Sequence, residues 1–323
     1  MSKFVVSGSR GYVAQRLIRR LVADGHEVVG LTRNGGGTEP GLHQVPVGGY
    51  TDEVFLSQII DSAQAVFHLA ALAHKRDAIE DEIARYRAAN VVPTESLARA
   101  CAAAGVARFV MVSSIGVLGN RTDVAPFSDL TVSAPVDQYA ASKALAEQRV
   151  KAVLSDSSCD YCILRPPLVY GPRSPGNFSG LVAIAAKAPL IPLAGIRAPR
   201  TFIHVDHLVD ALIVAATHPA ASRRTFVVAD DDDTSVAEII DIAARIFGRE
   251  RWRVVAIPET ILRGVSTLVG QRTRVDKLLA ALRVDASGFR HATGWRPAHS
   301  TPAAIATTLR NWNVGLFKTD NCR

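Results

Sequence analysis

Residues 4–14 read Phe-Val-Val-Ser-Gly-Ser-Arg-Gly-Tyr-Val-Ala, a short β-branched run followed directly by a glycine turn. After the turn, Val13, Leu17 and Leu21 recur at helical spacing, and Glu27 to Thr32 is again typical of a strand. A glycine turn is most informative when it joins a strand to a helix, as it does here. The stretch therefore predicts a strand-turn-helix-strand unit at the start of a parallel sheet.

The same alternation continues along the chain. The pattern predicts strands at 65–69, 109–112 and 161–165 and helices at about 80–104 and 139–154. Strands that alternate with helices of this length form a parallel sheet covered on both faces. We therefore predict an α/β protein with a Rossmann-type doubly wound parallel sheet and a smaller C-terminal α/β lobe.

Composition excludes several classes of protein. The 323 residues carry a net charge of +7, but the basic residues are scattered and aromatic residues make up only 6%. This argues against a nucleic-acid partner and is compatible with an anionic small molecule. Cys159 and Cys162 have the spacing of a redox or metal pair, yet no second pair accompanies them. We predict buried structural thiols and no metal site.

No segment resembles a membrane span or a secretion signal. The most apolar later stretch, 181–196, is interrupted by Lys187, Pro189 and Pro192. The first residues enter an apolar strand at once, without the charged and apolar regions of a signal peptide. We therefore expect a cytoplasmic protein without a membrane partner.

The glycine turn has the spacing of a dinucleotide-binding turn. Gly8 would make the tight turn, Gly11 would let the backbone approach a pyrophosphate at the helix N-terminus, and Ala14 replaces a third glycine. A purely structural turn is the alternative. The predicted cofactor contacts here are Gly8, Ser9, Arg10, Gly11, Tyr12 and Val13.

The second strand suggests which dinucleotide is bound. A carboxylate at its end would bind the adenosine ribose hydroxyls of NAD, whereas this chain has Thr32-Arg33-Asn34 there and Arg10 in the turn. Two guanidinium groups could bind a 2'-phosphate. We therefore predict a preference for NADP(H), with NAD(H) as the alternative, because both arginines could equally be solvated.

Tyr139 and Lys143 are four positions apart in a predicted helix, so they share one face. A fixed positive charge favours the phenolate and makes a tyrosine a better proton-transfer group. Ser114 follows a predicted strand and lies 139 − 114 = 25 residues before Tyr139. The three residues are candidates for a catalytic site at the carboxyl edge of the sheet.

At this point nearly the whole chain resembles the extended short-chain dehydrogenase/reductase superfamily, which includes sugar-nucleotide epimerases, dehydratases and reductases. Its motifs are matched by the glycine turn, by Val66-Phe-His-Leu-Ala-Ala71, Asn90, Val112-Ser-Ser114, Tyr139-x-x-x-Lys143, Leu164-Arg-Pro-Pro-Leu-Val-Tyr-Gly-Pro172 and Thr201-Phe-Ile-His-Val-Asp206.

The resemblance implies a role for each matched residue. Tyr139 would transfer the proton, Lys143 would hold the nicotinamide ribose and lower the pKa of Tyr139, and Ser114 would bind the reacting sugar oxygen. Ser113 is the rival of Ser114, and Leu118 departs from the family's usual tyrosine. Further implied cofactor contacts are Leu69, Ala70, Ala71, Asn90 and Pro166.

In the C-terminal half, the resemblance implies a nucleotide-sugar site. Asn177 and Arg200 would contact the diphosphate, and Arg272 or Arg274 would provide a second positive charge. His74 would line the pocket, although a polar helix cap is an equal alternative. For the arginines the alternative is a solvated surface position.

Proline and glycine become frequent after Pro166. We therefore predict a dinucleotide-binding domain at 1–165, completed by about 201–216, and a substrate-binding lobe at 166–323 whose chain crosses back to the sheet. Family members are often dimers through the two long helices, so a homodimer is expected, although an apolar helix stripe is equally a monomer's core.

The two residues after Ser114 narrow the choice of reaction. A 4,6-dehydratase needs an Asp-Glu pair there, and this chain has Ile115 and Gly116, which cannot carry a proton. Arg10 and Arg33 then favour NADPH-dependent reduction. The run Ser113–Gly119 and the ending Gly294-Trp-Arg-Pro297 resemble bacterial O-antigen enzymes. That resemblance implies that the substrate is a UDP-4-keto-6-deoxy-N-acetylhexosamine. The alternatives are a UDP-hexose or UDP-N-acetylhexosamine 4-epimerase that retains NAD, and a non-catalytic NADP sensor or scaffold.

Overall fold

The computed structural model describes residues 1–33, 35, 37–73, 81–188, 191, 195–248, 255, 257, 276 and 279–312. In these residues the strands are β1 (Lys3–Ser7), β2 (Glu27–Thr32), β3 (Gly37–Glu39), β4 (Leu42–Pro46), β5 (Ala65–His68), β6 (Arg108–Val112), β7 (Asp160–Arg165), β8 (Leu168–Tyr170), β9 (Phe202–His204) and β10 (Arg224–Val227). The helices are α1 (Tyr12–Ala23), α2 (Glu53–Ile60), α3 (Glu82–Tyr86), α4 (Val92–Ala103), α5 (Gln138–Leu154), α6 (Asn177–Lys187), α7 (Val205–Thr217), α8 (Val236–Ile246), α9 (Ser287–Thr293) and α10 (Thr301–Arg310).

An eight-stranded sheet forms the centre of the fold. Its strand order is β10-β7-β6-β5-β1-β2-β4-β3, and every pairing is parallel except β3 with β4. The order reverses between β5 and β1, which is where open α/β sheets bind ligands at the carboxyl ends of their strands. The expected α/β fold class with a parallel sheet is therefore confirmed.

Helices cover both faces of this sheet. On one face, α1 and α7 bury apolar side chains such as Leu17 and Leu208 against the strands. On the other, α2, α4 and α5 bury Leu56, Leu97 and Val150. Burial of both faces explains why the strands read as continuous apolar runs rather than alternating ones.

A second, two-stranded parallel sheet pairs β8 with β9. Its core lies between α6, α8 and α10 and includes Tyr170, Phe178, Ile240 and Ile305. Among the described residues, none of the helices is long and apolar enough to cross a membrane.

The described residues include strands that the sequence did not predict, and one predicted helix is divided. β10 lies beside β7 in the main sheet, and the sequence analysis did not predict this strand. The helix predicted at about 80–104 is divided in the described residues, because a π-helical turn at Arg87–Val91 separates α3 from α4. Pro93 lies directly after this turn, in the first turn of α4, and because it has no N–H it cannot donate to a carbonyl of the π-helical turn.

Candidate active site

The glycine turn after β1 packs against the segment that follows β5. Gly8 has a φ of +67°, and a Cβ placed there would lie 2.8 Å from the backbone nitrogen and Cα of Ala70. The amide of Gly11 donates to the Gly8 carbonyl at 2.8 Å and closes the turn. The turn thus places residues 8–11 beside residues 69–71, and both predicted sets of cofactor contacts lie at the carboxyl edge of the sheet.

The turn fits the pyrophosphate of a dinucleotide. No side chain caps α1 at Gly11, and no acidic residue stands in its first turn, so the positive end of the helix can accept an anion. Ser9 is only 2% exposed, and its hydroxyl has no hydrogen-bond partner in the described part of the chain. A buried hydroxyl beside an uncapped helix N-terminus matches the chemistry of a bound phosphate.

The two arginines expected to choose the cofactor flank the loop after β2. Arg10 is exposed, and its Nη2 would lie 3.2 Å from a Cβ at Gly35. Arg33 is exposed too, and its charge lowers the pKa of Tyr50, although burial has the larger, opposite effect. Both guanidinium groups therefore lie near the point where an adenosine ribose would be bound.

Asn90 uses its side chain within the protein. Its Oδ1 accepts from the Leu72 amide at 2.7 Å, and its Nδ2 donates to the Leu72 carbonyl at 3.2 Å and to the Ser142 hydroxyl at 2.9 Å. The residue lies in the π-helical turn and is 1% exposed. Asn90 therefore holds the loop after β5 against α5, and its contact with the cofactor stays a prediction.

The two adjacent serines after β6 have different partners. Ser113 is buried, and its hydroxyl donates to Oε1 of Glu147 at 2.5 Å. Ser114 is half-buried and caps a 3-10 turn, with its hydroxyl accepting from the Gly116 amide at 3.1 Å. Because the Ser113 hydroxyl is already hydrogen-bonded to Glu147, Ser114 is the candidate that faces the site.

Tyr139 lies in the first turn of α5, which Asp137 caps by accepting from the Ala140 amide at 2.8 Å. Its ring is 6.2 Å from that of Tyr86, at an interplanar angle of 59°. Burial raises the pKa of Tyr139 to about 12, and the negative charges of Asp137 and of ionised Tyr86 act in the same direction. The pKa is thus shifted in the direction opposite to the lowering expected from Lys143, and desolvation of the phenolate is the largest cause.

Lys143 lies one turn further along α5 and is 1% exposed. Burial lowers its pKa to about 8, and the charge of Glu147 opposes that shift. On the strand beside it, His68 is held between the hydroxyls of Ser7 at 2.8 Å and Thr94 at 2.7 Å, and burial lowers its pKa to about 3. His68 is therefore neutral at physiological pH, which avoids a second buried positive charge near Lys143.

The two positions after Ser114 are packed and carry none of the acids of a dehydratase. A Cβ on Gly116 would lie 3.3 Å from the Ser114 hydroxyl and 3.5 Å from the Cβ of Ala140. Ile115 is buried, and its amide donates to the Pro166 carbonyl at 2.9 Å. A larger side chain at 116 would crowd Ser114 and α5.

Comparison with known proteins assigns the chain to a family. The model of the NAD dependent epimerase/dehydratase family matches residues 4–229. The chain belongs to this family. It is an extended short-chain dehydrogenase/reductase, as the motifs predicted, and it is an enzyme.

Individual relatives support the assignment. A UDP-glucose 4-epimerase of Vibrio cholerae is 32% identical over 95% of this chain and 94% of its own length. A UDP-glucose 4-epimerase of Thermotoga maritima, solved with UDP-glucose, has a TM-score of 0.76 at 20% identity and covers 95% of this chain and 97% of its own. A UDP-glucuronic acid 4-epimerase of Bacillus cereus, solved with NAD, has a TM-score of 0.75 at 18% identity over the same shares. The two structures establish the fold.

The predicted substrate residues are placed only in part. Asn177 is the first residue of α6. Arg200 is half-buried, its Nη1 donates to the Ala280 carbonyl at 2.7 Å, and burial lowers its pKa. His74, Arg272 and Arg274 lie outside the described residues.

The structure also identifies residues near the site that sequence reasoning missed. Tyr86 faces Tyr139, and Gly171 lies against the ring hydroxyl of Tyr12, since a Cβ at Gly171 would be 2.6 Å from that oxygen. Glu147 falls one turn after Lys143 on the same helix, so its helical spacing could have revealed it. Tyr86 gave no such signal, because its contact with Tyr139 joins residues that are far apart in the sequence.

Three of the four cysteines lie in the part of the chain that the structure describes. Cys101, Cys159 and Cys162 are free and buried. Burial raises the pKa of Cys162 to about 12, which disfavours the thiolate that redox or metal chemistry needs.

Proposed function

We propose that this enzyme is a UDP-hexose or UDP-N-acetylhexosamine 4-epimerase that retains NAD during turnover. The observation that carries the proposal is the Ser114, Tyr139 and Lys143 set beside a dinucleotide turn, in a chain that is 32% identical to a UDP-glucose 4-epimerase over nearly its whole length. This was the alternative in the sequence analysis, and the relatives support it better than they support the 4-keto reductase.

The protein residues would act on the sugar's 4-hydroxyl. NAD held by the turn after β1 would supply the hydride acceptor, and then the hydride donor, for the 4-carbon of the sugar. Tyr139 would remove the hydroxyl proton and later return it, while Ser114 would hydrogen-bond the same oxygen. Lys143 would hold the ribose hydroxyls of the cofactor, and its positive charge beside the phenol would favour the phenolate. Only Tyr139 is required to change protonation.

Cofactor binding would use the turn after β1. The uncapped N-terminus of α1 and the buried hydroxyl of Ser9 would hold the pyrophosphate, while the close approach of Gly8 to Ala70 leaves the turn narrow. Asn177, Arg200, Arg272, Arg274 and His74 stay predictions for the nucleotide-sugar site.

The test is turnover without added cofactor. Purified enzyme should show the absorbance of bound dinucleotide and should interconvert UDP-glucose and UDP-galactose, or their N-acetyl forms, with product configuration read by NMR. Tyr139→Phe should lower kcat by about 10²- to 10⁴-fold with dinucleotide still bound. Tyr161→Phe, on β7, is the matched control and should keep wild-type activity. Wild-type kcat in Tyr139→Phe would refute the mechanism.

A second candidate is NADPH-dependent reduction of a 4-keto nucleotide sugar. Arg10 and Arg33, exposed on either side of the loop after β2, favour it because they could bind a 2'-phosphate. If this is the reaction, NADPH should be consumed with a UDP-4-keto sugar, and Arg10→Ala with Arg33→Ala should raise KM for NADPH but not for NADH. Equal KM values for both cofactors in the wild type would exclude it.

We also infer that the enzyme forms a homodimer through α4 and α5, which pack on each other and present an outer surface that includes Val92, 41% exposed. Sedimentation equilibrium of the wild type and of Val92→Glu tests this. A wild type that stays monomeric at micromolar concentration would contradict it.

A further inference from the structure

A buried carboxylate lies one helical turn after Lys143 and two turns after Tyr139 on α5. Glu147 accepts through Oε1 from the Ser113 hydroxyl at 2.5 Å and from Nε of Arg165 at 2.9 Å, and through Oε2 from Nη2 of Arg165 at 2.5 Å. Ser113, Glu147 and Arg165 are 4%, 3% and 8% exposed. We call these three residues the Glu147 cluster.

The Glu147 cluster joins three elements, each of which carries a residue of the proposed site. Ser113 immediately precedes Ser114 at the end of β6, and Arg165 immediately precedes Pro166 at the end of β7. Glu147 is on α5, the helix of the proposed proton donor. The cluster therefore fixes the two strand ends relative to the helix.

Backbone hydrogen bonds transmit this arrangement to Ser114. The Ser113 amide donates to the Leu164 carbonyl at 2.7 Å, and the Ile115 amide donates to the Pro166 carbonyl at 2.9 Å. Ser114 thus lies between two backbone hydrogen bonds, one to Leu164 in β7 and one to Pro166 just after it. The peptide next to it is tied to α5 through the Ser113 side chain.

Stability alone is a weak explanation for such a cluster. Apolar residues of similar volume often replace a buried ion pair without loss of stability, whereas a bidentate guanidinium-carboxylate pair fixes one geometry. The three groups occupy a place where geometry matters, because small displacements of reacting groups reduce rates strongly.

We propose that the Glu147 cluster is a positioning device that holds the Ser114 hydroxyl in register with Tyr139 and Lys143. Neither Ser113 nor Glu147 touches the substrate in this assignment; both act through Ser114. The assignment rests on the proposed function where kcat is the readout, so a second readout that needs no substrate accompanies it.

The kinetic test is a double-mutant cycle. Ser113→Ala should lower kcat about tenfold with KM and bound dinucleotide unchanged, since one arm of the cluster is lost and Ser114 is displaced. In a Ser114→Ala background, Ser113→Ala should have no further effect on kcat. The same fractional loss in both backgrounds, or an unchanged kcat in Ser113→Ala, would overturn the proposal.

The matched control lies at the opposite end of β7. Ser222 donates its hydroxyl to Oδ2 of Asp160 at 2.5 Å, a serine-carboxylate bond of the same length as that of Ser113. Ser222→Ala should leave kcat at the wild-type value. A loss equal to that of Ser113→Ala would show that any such bond affects turnover through stability.

The second readout is hydrogen-deuterium exchange of residues 113–119 in protein without sugar. Ser113→Ala should speed exchange in this segment, and Ser222→Ala should not. Glu147→Gln, which keeps an acceptor for Ser113 but weakens the bond to Arg165, should show the same increase. If Ser113→Ala and Glu147→Gln both exchange like the wild type, the proposal is wrong, even where epimerase activity is present. If the increase is seen without epimerase activity, only the proposed function fails.

Discussion

At the scale of single residues, Lys143 is a buried ammonium group, and its burial reduces the free energy of unfolding. An ammonium group that is 1% exposed has lost its hydration, and the lowering of its pKa to about 8 measures that loss. The compensating charge of Glu147 is only partial, because Arg165 already pairs with that carboxylate. In the proposed function this ammonium group would hold the cofactor ribose, and that role would explain why a destabilising residue occupies the position.

Replacement of Lys143 by methionine should therefore stabilise the protein while abolishing turnover. The pKa of about 8 in the folded chain against the ordinary 10.5 corresponds to about 3 kcal/mol, which is an upper limit for the gain. The gain in the free energy of unfolding should be complete below pH 8. It should vanish as the pH rises to 10.5, because the lysine of the unfolded chain then loses its proton too. Urea unfolding at several pH values measures it.

The control for that substitution is Lys151→Met, two turns further along α5 and half-buried. It should change the free energy of unfolding by less and leave turnover intact. A Lys143→Met variant less stable than the wild type at pH 7 would contradict the argument.

At the scale of elements, the turn between β1 and α1 was the most predictable part of the molecule, because its glycines are demanded by backbone geometry. The role of Gly8 was inferred from spacing, and the structure gives the reason: a positive φ and a backbone neighbour, Ala70, too close for any Cβ. The sequence did not show where the helix predicted at about 80–104 is interrupted, because a π-helical turn has no hydrophobic period of its own.

Gly8→Ala should release the dinucleotide and lower the free energy of unfolding by about 2–4 kcal/mol, since the new methyl group would meet the Ala70 backbone at 2.8 Å. Gly25→Ala separates the two causes, because Gly25 has a φ of +82° with no atom within 4 Å of the added Cβ. The free energy of unfolding of Gly25→Ala should fall by about 1 kcal/mol, and this variant should keep its dinucleotide. Absorbance of the purified proteins and urea unfolding give both quantities. Retention of full dinucleotide by Gly8→Ala would show that the turn adapts.

At the scale of the whole molecule, local motifs predict candidate catalytic residues, whereas they do not predict how the strands close the sheet. Ser114, Tyr139 and Lys143 belong to local motifs, whereas β10 is four residues long and joins β7 from a distance of about 60 positions in the chain. The buried partners of a motif are equally non-local. The sequence shows that Glu147 lies one helical turn after Lys143. Its hydrogen bonds to Ser113 and Arg165 could be seen only in the folded structure.

Asp230, just after β10, ties the two sheets together, and its loss should weaken the whole molecule. It is 2% exposed and accepts from the Tyr170 hydroxyl of β8 at 3.0 Å, the His204 amide of β9 at 3.1 Å and the ring of His207 at 2.7 Å. Asp230→Asn should lower the free energy of unfolding by about 2–4 kcal/mol, because buried donors lose a charged acceptor. Asp206→Asn, whose carboxylate is 54% exposed, should stay within about 0.5 kcal/mol of wild type in the same urea titration. Equal stability of the two variants would show that the sheets are held together by apolar packing alone.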